Sequence, residues 1–462
     1  MPLPADATSI NRCPISFRDA LHVWLRIAAM SFGGPSGQIA VMHRILVEEK
    51  KWLSEERFLH ALNFCMLLPG PEAQQLVTYT GWLMFRFWGG LIAGSLFVLP
   101  GFLSILFLSW LYVSWQELLI VQGIFLGMKG AILAIVIEAL LRISRRALKN
   151  GVMWILAALS FIAIFFFKVN FPWIILSAAL IGWFGESVAP KLFLVFKGHG
   201  GGGEAVSVPG LLDSMLDQEW YRPRLQRTAI MVLSGAAIWL APLAILTPWL
   251  GWDHVLVRQE LFFSRAAVVT FGGAYAVLPY VAQQAVEHYN WLTAGEMLDG
   301  LGMAETTPGP LIQIVQFVAF LGAYRSPSPF SPFGAAFLAS CLTTWATYVP
   351  CFIYIFAFAP YLELVRGNQR LKGALSAITA AVVGVILNLT LWFGMRVLFD
   401  RVTEFHVGPL IIAVPEWNTI QPTMWVLTAG ACVALFRYKR GMLEVLAACA
   451  SAGLMLRLAL GH

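Results

Sequence analysis

Arg26 and Arg265 are guanidinium groups inside apolar runs, and each stands six residues before a Phe-Gly-Gly triplet. Arginine within a span is costly, and its planar fork of donors matches an oxyanion, so these two are the leading side-chain ligands for an anion. The competing reading is that they snorkel to the membrane surface or pair with a carboxylate. Gln74 and Gln313 are neutral donors suited to the same ligand and could equally bond between helices. Glu72 directly follows Pro71, and Glu305 lies three residues before Pro308. A carboxylate at such a break either caps exposed N–H groups or serves as a protonatable group that couples proton uptake to anion movement.

These residues sit around two kinds of helix break. The first is Phe32-Gly33-Gly34-Pro35, which returns as Phe271-Gly272-Gly273 with Ala274 in place of the proline. The second is Pro69-Gly70-Pro71, which returns as Pro308-Gly309-Pro310. Glycine raises the conformational cost of a helix, and proline removes a donor and clashes with the preceding turn. Freed backbone groups cannot face hydrocarbon, so such breaks belong where they are buried in protein or line a polar cavity. Both pairs are separated by 239 positions, as are Arg26 and Arg265, Glu48 and Glu287, Trp52 and Trp291, and Gln74 and Gln313. The chain is therefore built twice. After Tyr324 the register shifts around Pro327, Pro329 and Pro332, but Lys372-Gly373-Ala374 still matches Lys129-Gly130-Ala131.

The scaffold is fixed by composition. In 462 residues, 59% are hydrophobic and 12% charged, with a mean hydropathy of +0.73, more apolar surface than one soluble core could hide. Runs of roughly twenty apolar residues recur, the length an α-helix needs to cross a hydrocarbon core of about 30 Å. They show no alternation, so helices are expected rather than a β-barrel. The fold class is all-α, a polytopic integral membrane protein of about 12 to 13 transmembrane helices in two homologous halves with broken helices. Residues 1–186 form an N-terminal repeat, 187–227 a cytoplasmic polar linker, 228–254 a connecting transmembrane helix, and 255–462 a C-terminal repeat. In the linker, the run Gly198 to Gly203 could cradle phosphate, but no GxxxxGK[ST] pattern accompanies it and a plain linker is favoured. Seven spans between corresponding helices would turn the halves upside down relative to each other. Basic residues support a cytoplasmic N-terminus, because Arg18, Arg86, the Arg142 to Lys149 cluster, the linker, Lys372 and Arg437 to Arg440 fall on one side. The loop from His43 to Arg57 is expected on the other. Six scattered cysteines without CxxC spacing argue against a disulfide or zinc framework, and no cofactor is expected.

Inverted repeats with paired broken helices are the architecture of secondary transporters, with the substrate near the midplane. The Phe-Gly-Gly-Pro and Pro-Gly-Pro motifs, their recurrence and the polar linker resemble the long-chain, two-domain members of the chromate ion transporter family. The resemblance covers nearly the whole chain. It implies export of chromate from the cytoplasm of a bacterium through the inner membrane, with sulfate as the chemically similar anion and no enzymatic step. The expected partners are that anion and membrane lipid, with no nucleic acid and with homodimer formation as one option. A tetrahedral dianion needs donors that persist with pH, and helix N-termini supply backbone N–H groups and the positive end of the dipole. Half-helices are expected to start after Pro35, Pro71, Gly273 and Pro310, so the two breaks of each half join Arg26, Arg265, Gln74 and Gln313 as substrate-binding candidates. The plain alternative is that these glycines and prolines only permit close helix packing. Lys129 is expected near a helix end, and Glu138 to pair with Arg142 one turn on. A channel for another inorganic anion would use the same broken helices; saturation with counterflow of labelled substrate separates the two.

Overall fold

The computed structural model describes residues 15–193, 211–212, 223–362, 368–408 and 410–460, so the glycine run of the linker lies outside the described residues. The chain is a helical bundle. Among the described residues, seven helices are long and apolar enough to cross a membrane, and three shorter apolar ones accompany them. The all-α polytopic class therefore holds, with one two-stranded antiparallel hairpin added, β1 (Val402–Val407) and β2 (Leu410–Pro415).

The first half opens with α1 (Phe17–Ala29), α2 (Gly34–His43), α3 (Glu55–Leu67) and α4 (Glu72–Trp115). Helices of 10 to 13 residues span about 15–20 Å, one half to two thirds of the hydrocarbon thickness. They fold back instead of crossing. Gly33 (φ 81°) and Gly34 (φ 69°) reverse the chain between α1 and α2, a backbone region that residues with a Cβ rarely enter. As a result Arg26 of α1 reaches Glu49 beyond α2 at 2.6 Å. The second break reverses the chain between α3 and the first arm of α4. That arm ends at Phe85 and Arg86, whose backbone leaves the helix (φ 54°, ψ −140° at Arg86). The second arm then returns so closely that a methyl on Gly81 or Gly89 would collide with the carbonyl of the other. Phe17 at the start of α1 packs against Phe85, ring centroids 5.4 Å apart, which closes the two re-entrant hairpins at one end of the bundle.

After α5 (Leu119–Ala147), α6 (Gly151–Phe165), α7 (Phe171–Val188) and the short α8 (Pro190–Phe193), the chain reaches α9 (Leu225–Leu250). The second half repeats the plan. It runs through α10 (Val255–Val269), α11 (Ala274–Gln283), α12 (Ala294–Thr306), a 3-10 turn (Leu311–Gln313) leading into α13 (Ile314–Arg325), and α14 (Pro332–Phe358). Here Arg325 donates to the Trp291 carbonyl (3.0 Å) and His254 bonds to the Ser328 carbonyl (2.8 Å), which gathers the open ends of both hairpins. The mouths of the two halves lie a helix length apart. Thr228, at the start of α9, meets Tyr361 (3.1 Å), while Trp249, at its end, packs on Phe330 beside the second mouth. Even the local turns match. Lys51 and Asn290 share a positive φ (53° and 52°), and Trp52 and Trp291 donate to Leu46 and Ala285.

The halves interlock. α5 packs against α16 (Pro422–Cys432) and α17 (Met442–Leu460), whereas α15 (Gln369–Leu398) packs against α6 and α7. Small residues allow these approaches: methyls on Gly127 and Gly182 would strike the backbone at Cys449 and Gly373. The strand hairpin rests on the α6–α7 connection through Ile411 N–H to Phe166 O (2.9 Å), and the first half has no hairpin between α5 and α6.

One expectation about sidedness is corrected. Leu211 and Leu212 of the linker donate to the carbonyls of Lys51 and Trp52 (3.2 and 3.0 Å), so the His43 to Arg57 loop shares an end with the linker rather than opposing it. The physical reason is length, since arms this short cannot carry the chain across. Replacing two crossings by two returns leaves every later helix on its expected side.

Candidate functional site

The tips of the four hairpins meet midway along the bundle. Gly70 N–H donates to the Thr270 carbonyl at 2.7 Å, and Gly309 N–H donates to the Ser31 carbonyl at 2.9 Å. The sequence offset that pairs Gly70 with Gly309 also pairs Ser31 with Thr270, so each half's second break is hydrogen-bonded to the other half's first break. The hydroxyls follow the same rule, with Ser31 donating to Ile27 O (2.5 Å) and Thr270 to Ala266 O (2.6 Å). Depth is set by the crossing helices. A methyl on Gly309 would lie 2.9 Å from Gly101, halfway along the second arm of α4, and one on Gly70 would lie 2.6 Å from Cys351 Sγ in α14. Pro100 and Pro350 lie inside those two helices beside the tips, and each removes one backbone donor there.

Helix starts fall where the motifs place them, at Gly34, Glu72 and Ala274, with Leu311 opening the turn into α13. Neither α2 nor α11 has a side-chain cap, so their first turns, where in α11 the Ala276 N–H bonds back to the Gly273 carbonyl (3.0 Å), present the positive end of the dipole without a side-chain acceptor of their own. Instead, each of these ends faces a glutamate from the opposite half. A methyl on Gly273 would sit 2.9 and 3.2 Å from the two carboxylate oxygens of Glu72; one on Gly34 would sit 3.9 Å from Glu305 Oε2 and 4.0 Å from the Tyr275 hydroxyl. Glu72 and Glu305 are 7% and 1% exposed, and Oε2 of each has no hydrogen-bond partner among the described residues. Tyr275 donates to Glu305 Oε1.

The lining is polar and buried. Gln74 donates to Thr78 Oγ1 (3.1 Å), and Gln313 to Gln316 Oε1 (2.5 Å) and Thr344 Oγ1 (3.1 Å); the amide oxygens of both Gln74 and Gln313 have no partner among the described residues. Gln38 donates to the Gly309 carbonyl (2.5 Å) and Gln75 to the Pro69 carbonyl (2.7 Å), which ties side chains to the tips. Phe32 is 37% exposed, and Phe271 packs partly buried against the core.

The arginines differ from expectation. Arg26 is half-exposed and held by Glu49, which is the carboxylate-pairing alternative, because the hairpin fold brings that loop back beside α1. Arg265 is exposed on α10 and makes no ion pair among the described residues. The positive charge at a tip comes from Arg142 of α5, whose Nη1 donates to Ser36 Oγ in the first turn of α2 (3.3 Å) and lies 3.8 Å from Glu138. Glu305 and Tyr275 are within its electrostatic reach. Sequence reading placed Arg142 in a cytoplasmic basic cluster. The signal for it was Glu138 one turn earlier, a charged pair inside an apolar run, and for Tyr275 the offset that equates it with Ser36. Lys129 lies in the interior of α5 rather than at a helix end, and it pairs with buried Asp299 (3.5 Å), itself an acceptor from Tyr112 (3.0 Å), close to Gly295 in the first turn of α12.

A family profile described as Chromate transporter matches residues 19–183 and 259–454. The chromate transport protein of Cupriavidus metallidurans is 25% identical over 442 residues, covering 95% of this chain and 98% of that one. That of Pseudomonas aeruginosa is 31% identical over 428 residues, covering 90% and 92%, and a probable chromate transport protein of Synechococcus elongatus is 28% identical over 403, covering 87% and 90%. No solved structure gives a significant match. The chain belongs to the chromate transporter family, a family of multi-pass membrane transporters and not of enzymes.

Proposed function

We propose that this member of the chromate transporter family is a secondary transporter that exports chromate, a sulfate-like divalent oxyanion, from the cytoplasm through a bacterial inner membrane. The observation that carries the reading is the cross-bonding of Ser31, Gly70, Thr270 and Gly309 at mid-bundle, which leaves two uncapped helix N-termini buried among polar side chains. An anion at the start of α2 would meet backbone N–H groups, the Ser36 and Tyr275 hydroxyls and the fork of Arg142. Gln74 and Gln313 line the same junction, and to donate to the anion Gln313 would have to give up a bond to Gln316 or Thr344, whereas Gln74 uses one amide N–H on Thr78. Residues 1–186 and 255–462 act as the two repeats, inverted across the membrane, joined by the linker 187–227 and the helix 228–254. Hairpins opening to opposite faces and meeting at their tips suit alternating access, since either mouth can loosen while the other stays packed.

Direction follows from charge. Moving one charge through 100 mV is worth about 2.3 kcal/mol, so a dianion leaving a negative interior gains about 4.6 kcal/mol, roughly a thousandfold gradient. The test is accumulation of chromate by inside-out vesicles, with competition by sulfate and counterflow of labelled chromate. Saturable accumulation with counterflow is expected. Vesicles that contain the inserted protein and gain no chromate would refute the reading, and flux without saturation or counterflow would mark a channel.

A further inference from the structure

Glu72 and Glu305 occupy a peculiar position for a site that is to hold an anion. Each comes from one half and places a carboxylate over the uncapped N-terminus of a ten-residue helix in the other, Glu72 at α11 and Glu305 at α2. They are not related by the 239-residue offset, which pairs Glu72 with Leu311 and Glu305 with Met66. Two unrelated positions therefore supply the same group to two related places. Each carboxylate is more than nine-tenths buried and has one oxygen without a partner among the described residues, so intrahelical capping of its own element does not account for it.

We infer that Glu72 and Glu305 are built-in anions that fill the two helix-end seats when substrate is absent, and that chromate binding displaces them with uptake of protons. The inference rests on the transport reading above and deepens it. A charged carboxylate and a dianion cannot share one helix end, because like charges at contact distance repel strongly in a buried site. Chromate takes the seat once the carboxylate has become a carboxylic acid. One proton is bound to one carboxylate oxygen for each seat that changes occupant, with no bond made to chromium and no electron transferred. The acid form then has an O–H that can donate to an oxyanion instead of repelling it.

The neighbours that face these groups are few. Glu305 is faced by Tyr275 from α11 and by Arg142 and Glu138 from α5. The titratable neighbour of Glu72 is Cys65 from α3. The first seat thus has a cation that can be shared between carboxylate and substrate, and the second has none among the described residues.

The experiment measures proton uptake when chromate binds to the purified full-length protein in weakly buffered alkaline solution, where chromate is fully deprotonated. Wild type, Glu72→Gln, Glu305→Gln and the double variant are compared, with thermal unfolding as the check on folding. Wild type is expected to take up protons, with affinity falling about tenfold per pH unit for each linked proton. Each glutamine, which mimics the protonated seat, should remove its share of the uptake and flatten the pH dependence while chromate still binds, and the double variant should bind with no uptake. Proton uptake that persists unchanged in the double variant overturns the inference, as does binding by wild type with no uptake at all; both leave the transport reading standing. Failure of folded wild type to bind chromate overturns the transport reading and this inference with it. Should one variant fail to fold, the other seat decides by the same outcomes.

Discussion

Replacing Arg142 with glutamine tests where the substrate's charge is met. The guanidinium donates to Ser36 in the first turn of α2 and faces Glu138 at 3.8 Å, a distance that leaves its fork only loosely engaged. An anion at the start of α2 would gain charge-assisted bonds from it, each worth about 1.5–3 kcal/mol. Arg142 is 35% exposed, so solvent and salt screen part of the longer-range attraction, and we take the loss as about 2–3 kcal/mol, or roughly 30- to 160-fold in affinity. Chromate uptake into inside-out vesicles should therefore show a raised KM for Arg142→Gln, an intermediate value for Arg142→Lys, which retains the charge without the fork, and a gap between wild type and Arg142→Gln that narrows in high salt, where the guanidinium is screened. Arg26→Gln is the control: its half-exposed pair with Glu49 is of a kind worth about 0–1 kcal/mol, and KM should stay near wild type. An unchanged KM in Arg142→Gln, or a large rise confined to Arg26→Gln, would refute the assignment of the binding charge to α5.

Two further outcomes follow from the backbone. Gly273→Ala should abolish transport, because the residue has φ 89° and the new methyl would lie 2.9 Å from the Glu72 carboxylate, whereas Gly33→Asn should retain most of it, because Gly33 is in the left-handed region that asparagine tolerates and nothing lies within 4 Å of a methyl there; vesicle uptake compares the two directly. Cysteines introduced at Lys51 and Leu211 should be labelled by a membrane-impermeant maleimide from the same side of the membrane and should crosslink to each other, since Leu211 N–H bonds the Lys51 carbonyl; labelling from opposite sides would restore a crossing for the first broken stretch.

Much of this organisation was legible in the sequence because it is carried by residues with few alternatives. Gly33, Gly34 and Pro35 dictate where a helix must stop and restart, and the 239-residue spacing of two such motifs makes a duplicated fold hard to avoid. What the motif does not encode is the direction the chain takes after the break. A Phe-Gly-Gly-Pro that kinks a crossing helix and one that turns it back look alike in composition, and only the positive φ angles at Gly33 and Gly34 decide. That ambiguity misled the reading of Arg26. Counted along a continuous span it lies in the membrane interior, but in a hairpin it lies beside the returning loop and meets Glu49. Arg142 was hidden for the opposite reason, since its neighbours Arg145 and Arg146 make a basic cluster and only tertiary packing brings α5 to α2. The strand hairpin from Val402 to Pro415 carries no tip residue and lies at the far end of α6, outside the repeat signal.

The asymmetry between the two seats bears on how many protons can accompany one anion. A free dianion leaving a negative interior gains about 4.6 kcal/mol per 100 mV, and each proton that travels with it removes about 2.3 kcal/mol of that gain. With one proton the complex still carries a single negative charge outward and the potential still drives export. With two it is neutral to the potential, and a cytoplasm more alkaline than the outside would then draw the same complex inward. Export is thus compatible with one linked seat and opposed by two. The structure distinguishes the seats in the sense this requires: Arg142 stands beside Glu305 and Ser36 at the start of α2, and the Glu72 seat at the start of α11 has no such cation among the described residues. A dianion is better held where a permanent charge offsets it, so the α2 seat is the one expected to carry substrate, with Glu305 as its proton partner. The Glu72 seat over Gly273, which lacks such a cation, is then loaded more weakly and carries the smaller share of the proton uptake.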